Sequence, residues 1–344
     1  GVWIMAYITF QPSDHFNTVL YTGNGSTQSI TGVGFQPDWC WIKGRGSSAY
    51  DHQLFDAVRG ATKAIASNDS AAEATYSNSL TSFDSDGFSL GDFARTNSNS
   101  DNKVSWNWKA NGQGSSNTDG SINTTYTSVN TTTGFSISKY TGTGSNATIG
   151  HGLGTAPKMI IIKNLTNSIN WHCYHSALGG TKVIYLSLTN AAATDSTSFN
   201  NTGPTTSVFS VGTDTGTNQS GSDFIAYCFA EKKGFSKFGS FSGNGSANGN
   251  FIYCGFKPAF IMFKDYSNAG SNWVIHDNKR NTFNVVDKVL KPSANDAEST
   301  STFCDFVSNG FKVRTSFATS VDFLYMAFAE HPLVSSNNIP ATAR

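Results

Sequence analysis

Charge is scarce in this chain. Of its 344 residues only 13% are Asp, Glu, Lys or Arg, about half of the roughly 25% usual in a globular domain. The formal net charge is zero and no cluster of Lys and Arg stands out, which excludes the basic stripe that a nucleic-acid partner demands. No apolar run approaches the ~18 residues of a membrane-spanning helix. The opening "GVWIMAYITF" has no basic segment ahead of an apolar one and no small-residue cleavage site, so no secretory signal is expected. Helical sequence is thin as well. The best helix candidate, "DAVRGATKAIAS", is interrupted by Gly60. Ser, Thr, Asn and 33 Gly fill the polar positions, a composition that favours short strands joined by turns. The expected class is all-β.

Recognisable chemistry is also missing. There are five cysteines, an odd number, without a CxxC pair; lying mostly in apolar runs, they read as free, buried thiols. "GFSLG" at 87–91 has the spacing of a nucleophile elbow around Ser89. That motif needs a strand-turn-helix context, and here a turn precedes a strand. "WHCYH" brings His172, Cys173 and His175 close in sequence, but on a strand His172 points away from both others. "DSDG" at 84–87 opens like a calcium loop, yet the twelfth position is Arg95. Glu73, Glu231, Glu298 and Glu330 are the only glutamates, and two of them close corresponding strands. We expect no catalytic residue, no cofactor and no metal.

What the chain has is repetition. "YTGNGS" at 21 returns as "YTGTGS" at 140 and "FSGNGS" at 241. "GFQPDWCWIKGR" is answered by "LGTAPKMIIIKN" and "GFKPAFIMFKD", each a Pro, an unbroken apolar run and a lysine (Lys43, Lys163, Lys264). Then follow "YDHQLFD", "WHCYHS" and "WVIHD"; "SDGFSL", "TSVFSV" and "SNGFKV"; and finally "VSWNWKA", "FIAYCFAE" and "FLYMAFAE". Landmarks recurring in one order predict a repeated architecture: three tandem β-sandwich, jelly-roll-like modules at 1–112, 113–233 and 234–331, with an extended tail over 332–344. The Gly/Ser/Asn/Thr stretch after Gly112 leads into "FSISKY", the expected first strand of the second module.

Asn24-Gly25 and Asn244-Gly245 read as hairpin turns. "KMIIIK" and "AFIMFK" do not alternate apolar with polar, so both faces of these strands must be covered. One face packs on the module's own second sheet; the other needs a loop, a neighbouring module or a neighbouring subunit. The tryptophans of "DWCWIK" are expected in the core, and the closing lysines as strand-end charges that discourage pairing with other chains.

The stretches "YTGNGSTQSITGVGFQPDWCWIKGR", "LFDAVRGATKAI", "LTSFDSDGFSL" and "WNWKANG" resemble a module of structural proteins of marine tailed bacteriophages. Similar chains carry "HGLGTAPKMIIIKN" and "FSGNGSANGNFIYCGFKPAF" in the same order and start at the equivalent of "MAYITF", so "GVWI" reads as an over-extension. The resemblance implies a non-enzymatic virion component: a tail fibre, tail-tip or capsid-decorating subunit that contacts the host surface, assembled in the host cytoplasm. Expected partners are copies of itself, a trimer by analogy with fibres, together with other virion proteins and a host-surface glycan or protein. The alternative is a carbohydrate-binding β-sandwich protein, with Tyr50, Trp106, Trp108 and Trp171 as aromatic contacts.

Overall fold

The computed structural model describes residues 10–46 and 50–332. It is all-β, with 43% strand and 3% helix. Three antiparallel sheets of similar build organise it. In the first the order is Phe16–Thr22, Asn102–Trp108, Trp39–Gly44, Gln53–Asp56. The second contains Phe135–Thr141, Asp223–Phe229, Met159–Asn164 and His172–His175 in that order. The third runs Ser236–Ser242, Asp322–Pro332, Phe256–Asp265, Val274–Asp277. Each faces a further set of strands across an apolar layer: Gln28–Ile30, Gly87–Leu90 and Leu80–Asp84 by the first, Ala147–Gly150 and Val208–Val211 by the second. Facing the third are Phe251–Tyr253, Gly310–Val313, Ser299–Val307 and Val286–Val289. Two one-turn helices, Ala94–Asn97 and Thr215–Asn218, interrupt the strands. No helix among the described residues is long and apolar enough to cross a membrane.

Burial explains the unbroken apolar runs. Along Trp39–Gly44, Cys40 and Ile42 face the smaller sheet, while Trp39 and Trp41 face the opposite way. Ile160 and Ile162 divide from Met159 and Ile161 in the same manner, as do Ile261 and Phe263 from Phe260 and Met262. All the outward-facing members enter one core shared by the three sheets. Trp39 stacks on Tyr227 at 4.5 Å, Trp108 meets Phe260 at 5.7 Å, and Phe229 meets Phe328 at 6.0 Å. The second face of each sheet is therefore covered from within the chain. Side chains of this size contribute roughly 1.5–3 kcal/mol each on full burial, so the shared core ties the sheets together energetically.

Three local expectations are corrected. Asn24-Gly25 and Asn244-Gly245 are not hairpins, because the strands before them, Phe16–Thr22 and Ser236–Ser242, pair with Asn102–Trp108 and Asp322–Pro332, and those after them, Gln28–Ile30 and Phe251–Tyr253, with Gly87–Leu90 and Gly310–Val313. The chain crosses there between two sheets. The Asn24 and Asn244 side chains accept the amides of Ser26 and Ser246 at 2.8 and 3.1 Å, and only Gly25 and Gly245 take positive φ, +67° and +72°. "FSISKY" is not the first strand of its part of the chain: the β-branched "TYTSVN" ahead of it forms Tyr126–Asn130, which pairs along Phe135–Thr141. The closing lysines are not exposed, for Lys43, Lys163 and Lys264 are each 0% exposed. Of the tail expected over 332–344, Pro332 still belongs to the strand Asp322–Pro332, and residues 333–344 lie outside the described residues, as does the "GVWI" start.

Candidate functional site

The junctions between sheets are built from polar side chains that the repeat places in matched positions. Asp56, His175 and Asp277 stand opposite Trp39, Met159 and Phe260 in the strand registers. The Tyr227 hydroxyl, from the second sheet, donates to Asp56 Oδ2 of the first at 2.7 Å. Trp106 Nε1 of the first sheet donates to Asp277 Oδ2 of the third at 2.9 Å. Arg59 and Arg280 each place Nε 2.5 Å from the same carboxylate oxygen. At the third such position Met326 replaces the donor, and His175 Nε2 lies 3.3 Å from the Tyr325 carbonyl instead.

A second set closes the same circle. His52 Nε2 lies 3.0 Å from the Lys291 carbonyl; Trp171 Nε1 donates to Ala66 O and Trp273 Nε1 to Tyr185 O, both at 2.8 Å. Backbone amides add a third set: Glu73 to Leu165 O and Ala192 to Tyr266 O at 2.9 Å, and Glu298 to Arg45 O at 3.2 Å.

These charged groups are structural in their surroundings. Burial pushes the Asp277 carboxyl up, but the Arg280 guanidinium and the Trp106 N–H outweigh it and hold it below the usual carboxylate range. Burial lowers Lys43, Lys163 and Lys264 to about 8. Their ammonium groups remain satisfied by carbonyls: Gly44 and Asn295 for Lys43, Asn164 for Lys163, Thr189 and Ser271 for Lys264. All four glutamates sit in ion pairs, with Lys or Arg partners within 3.5 Å.

The residues singled out in the sequence are not brought together. Trp106, Trp108 and Trp171 are 0%, 1% and 0% exposed. No ring face is open to a sugar, because the indoles fill the shared core; this corrects the expectation for all three. Tyr50 is half-buried, with the Lys103 ammonium 4.9 Å above its ring. Ser89 lies within a strand and bonds Asp84 Oδ2 at 2.7 Å. Asp86 accepts the Gly32 and Gly34 amides, so the DSDG loop spends its carboxylates on the turn. His172 bonds Asp214 at 3.1 Å, and Cys173 is enclosed in the shared core. All five thiols are free and buried.

An opening the sequence did not suggest lies in the third part of the chain. A cleft of about 560 Å³ separates the Phe256–Asp265 and Val274–Asp277 strands from Ser299–Val307. Three rings lie nearly parallel in its wall. Phe263 and Phe303 are 3.7 Å apart at 11°, and His276 stacks on them at 5.7 and 5.3 Å. The Lys288 backbone lies beside the His276 ring and favours its protonated form, against the effect of burial. Burial lowers this imidazole to about 3, and Arg280 adds to the effect.

Exposed aromatics occur close by in the same part of the chain, with Phe251 48% and Tyr253 57% exposed on an edge strand. Laying the repeats over one another carries a signal for both features. His276 stands at the register position that Phe55 and Tyr174 hold on the corresponding strands, and Phe251 at the one that Ser29 and Thr148 hold.

No curated protein and no solved structure matches the chain. A family described as a domain of unknown function, DUF7483, matches residues 11–332. That match takes in all three sheets and every junction between them, and the chain belongs to the DUF7483 family.

Proposed function

We propose that this chain is a non-enzymatic structural subunit of a virion, made of three copies of one β-sandwich module closed around a common axis and presented to the host surface. The observation that carries the reading is the shared aromatic core with its cyclic junctions. Tyr227 to Asp56 and Trp106 to Asp277 are alike at two junctions, and ring nitrogens face the Ala66, Tyr185 and Lys291 carbonyls at all three. Rigid closure with ionisable groups consumed in structural bonds suits a scaffold better than an enzyme. Because the chain covers its own sheets, its trimer-like closure is intramolecular. Self-association then uses outer surfaces, among them the edge bearing Phe251 and Tyr253.

The test is mass spectrometry of purified particles encoded by the same genome, combined with labelling of host cells by the purified protein. The chain is expected in the particles at a fixed stoichiometry, and added protein is expected to slow adsorption. Its absence from purified particles refutes the proposal.

A second reading, carbohydrate binding, is favoured by the cleft beside Phe263, Phe303 and His276. Under this reading the contacts move from the buried tryptophans to that cleft.

A further inference from the structure

We propose that the edge strand Phe251–Tyr253 pairs with the same strand of a second copy of this chain, antiparallel and centred on Ile252, so that two outer sheets join into one. The proposal rests on the structural-subunit reading and gives it a contact between copies.

The edge is open. Phe251–Tyr253 ends its sheet, and among the described residues no strand lies beyond it. Its bonds to the inner neighbour come from alternate positions: the Val313 amide donates to the Asn250 carbonyl and the Cys254 amide to the Asn309 carbonyl, both at 2.9 Å. In an antiparallel ladder the residues between, Phe251 and Tyr253, turn their amides and carbonyls the other way, off the edge. Both side chains are exposed, while Ile252 is buried in the apolar layer beneath.

Comparable edges are closed or protected. On Ala147–Gly150, Thr148 holds the register position of Phe251. Its carbonyl accepts the Ile122 amide at 3.0 Å, and its amide donates to Ser121 Oγ at 2.9 Å. The chain thus lays its own residues 121–122 along that edge. Gln28–Ile30 presents polar Gln28 and Ser29 outward. The far edge of the third part's outer sheet, Val286–Val289, is broken by a register shift and carries Asp287 and Lys288, devices that keep an edge from pairing. Exposed Phe283 and Val285 precede that strand and lie off its ladder. Phe251–Tyr253 has none of these protections.

The edge is also its own complement. Residues 250–255 carry no charge, and the Lys312 ammonium, opposite Phe251, is bound to the Gly249 carbonyl at 2.9 Å. With Ile252 facing Ile252 of the other copy, Phe251 falls opposite Tyr253, and each outward amide meets an outward carbonyl. The aromatic side chains then pair across the strands on the outer face, and both Ile252 side chains stay in the inner layer. Such a contact is isologous and closes at two copies. Three residues a side fall well short of the ~1,200 Å² that stable interfaces bury, so the dimer is reversible and depends on concentration.

The experiment is sedimentation velocity of the full chain from micromolar to near-millimolar concentration, with hydrogen exchange of the peptide spanning residues 249–256 at both extremes. Phe251→Thr, which copies Thr148, and Tyr253→Lys, which puts a charge on the edge, are measured in parallel. Both positions are exposed, so the urea midpoint of each variant should match wild type. Wild type is expected to pass from monomer to dimer, and exchange in that peptide should slow as it does. Each variant should dimerise at least tenfold more weakly. Three outcomes overturn the assignment: a monomer at every concentration, a dimer that both variants retain without protection of that peptide, or growth past the dimer, which marks a head-to-tail contact. A monomer that is nevertheless a component of purified particles rejects this contact and leaves the virion reading intact. A dimer with the predicted protection, from a chain missing in particles, keeps the contact and rejects that reading.

Discussion

Replacing Tyr227 by Phe deletes one oxygen from the junction between the first and second sheets. That hydroxyl donates to Asp56 Oδ2 at 2.7 Å, and neither side chain meets solvent. The phenyl ring keeps its stack on Trp39 at 4.5 Å and 21°, so no sizeable cavity opens. The carboxylate keeps its contact with Arg59 at 2.5 Å but loses a donor in a site water cannot reach. A hydrogen bond to a charged group is worth about 1.5–3 kcal/mol, and we expect a loss near ~2 kcal/mol. Tyr140→Phe is the control: its hydroxyl donates at 2.6 Å to the neutral Thr217 carbonyl, where about 1 kcal/mol is expected. The assay is urea unfolding of both variants with an unchanged denaturant slope. If Tyr227→Phe costs no more than Tyr140→Phe, the junction is not the charged, desolvated contact argued for above.

Acid should destabilise the fold through its buried imidazoles. His52, His151, His175 and His276 all have lowered folded values, His175 about 4 and His276 about 3. The unfolded chain thus binds more protons below about pH 6.5, and the urea midpoint falls between about pH 6.5 and 5; an unchanged midpoint contradicts the burial of these rings. Lys264→Met strands the Thr189 and Ser271 carbonyls and should cost about 1–3 kcal/mol at pH 7. Because Lys264 titrates at about 8 when folded and 10.5 when free, the stability gap between wild type and variant should widen as pH rises through that window, and a constant gap refutes the assigned shift. Burial raises the thiols of Cys40, Cys173, Cys228, Cys254 and Cys304, so a thiol reagent should modify none in the native chain and all five in urea.

Much of the fold was legible because it rests on local pattern. The strands Trp39–Gly44, Met159–Asn164 and Phe256–Asp265 fall on the apolar runs after Pro37, Pro157 and Pro258, or take that Pro in. The free state of the cysteines followed from their number and their apolar surroundings. The candidate site was not legible in the same way. Trp106, Trp108 and Trp171 look identical in sequence whether they face sugar or core, because strand alternation assigns a face without naming what covers it. The Asn-Gly turns misled for a related reason. The dipeptide specifies a local bend, whereas strand pairing, a long-range property, decides whether that bend joins partners or crosses between sheets.

By itself, the amino-acid order determined that this protein is built of short strands, that its motifs recur in threes, and that certain strands need cover on both sides. Periodicity and composition carry that information because they act over a few residues. Only the tertiary structure decided that the cover comes from the chain's own other sheets, that Lys43, Lys163 and Lys264 are buried, and that a cleft opens beside Phe263, His276 and Phe303. Those outcomes depend on which distant surfaces meet and on what water is excluded when they do.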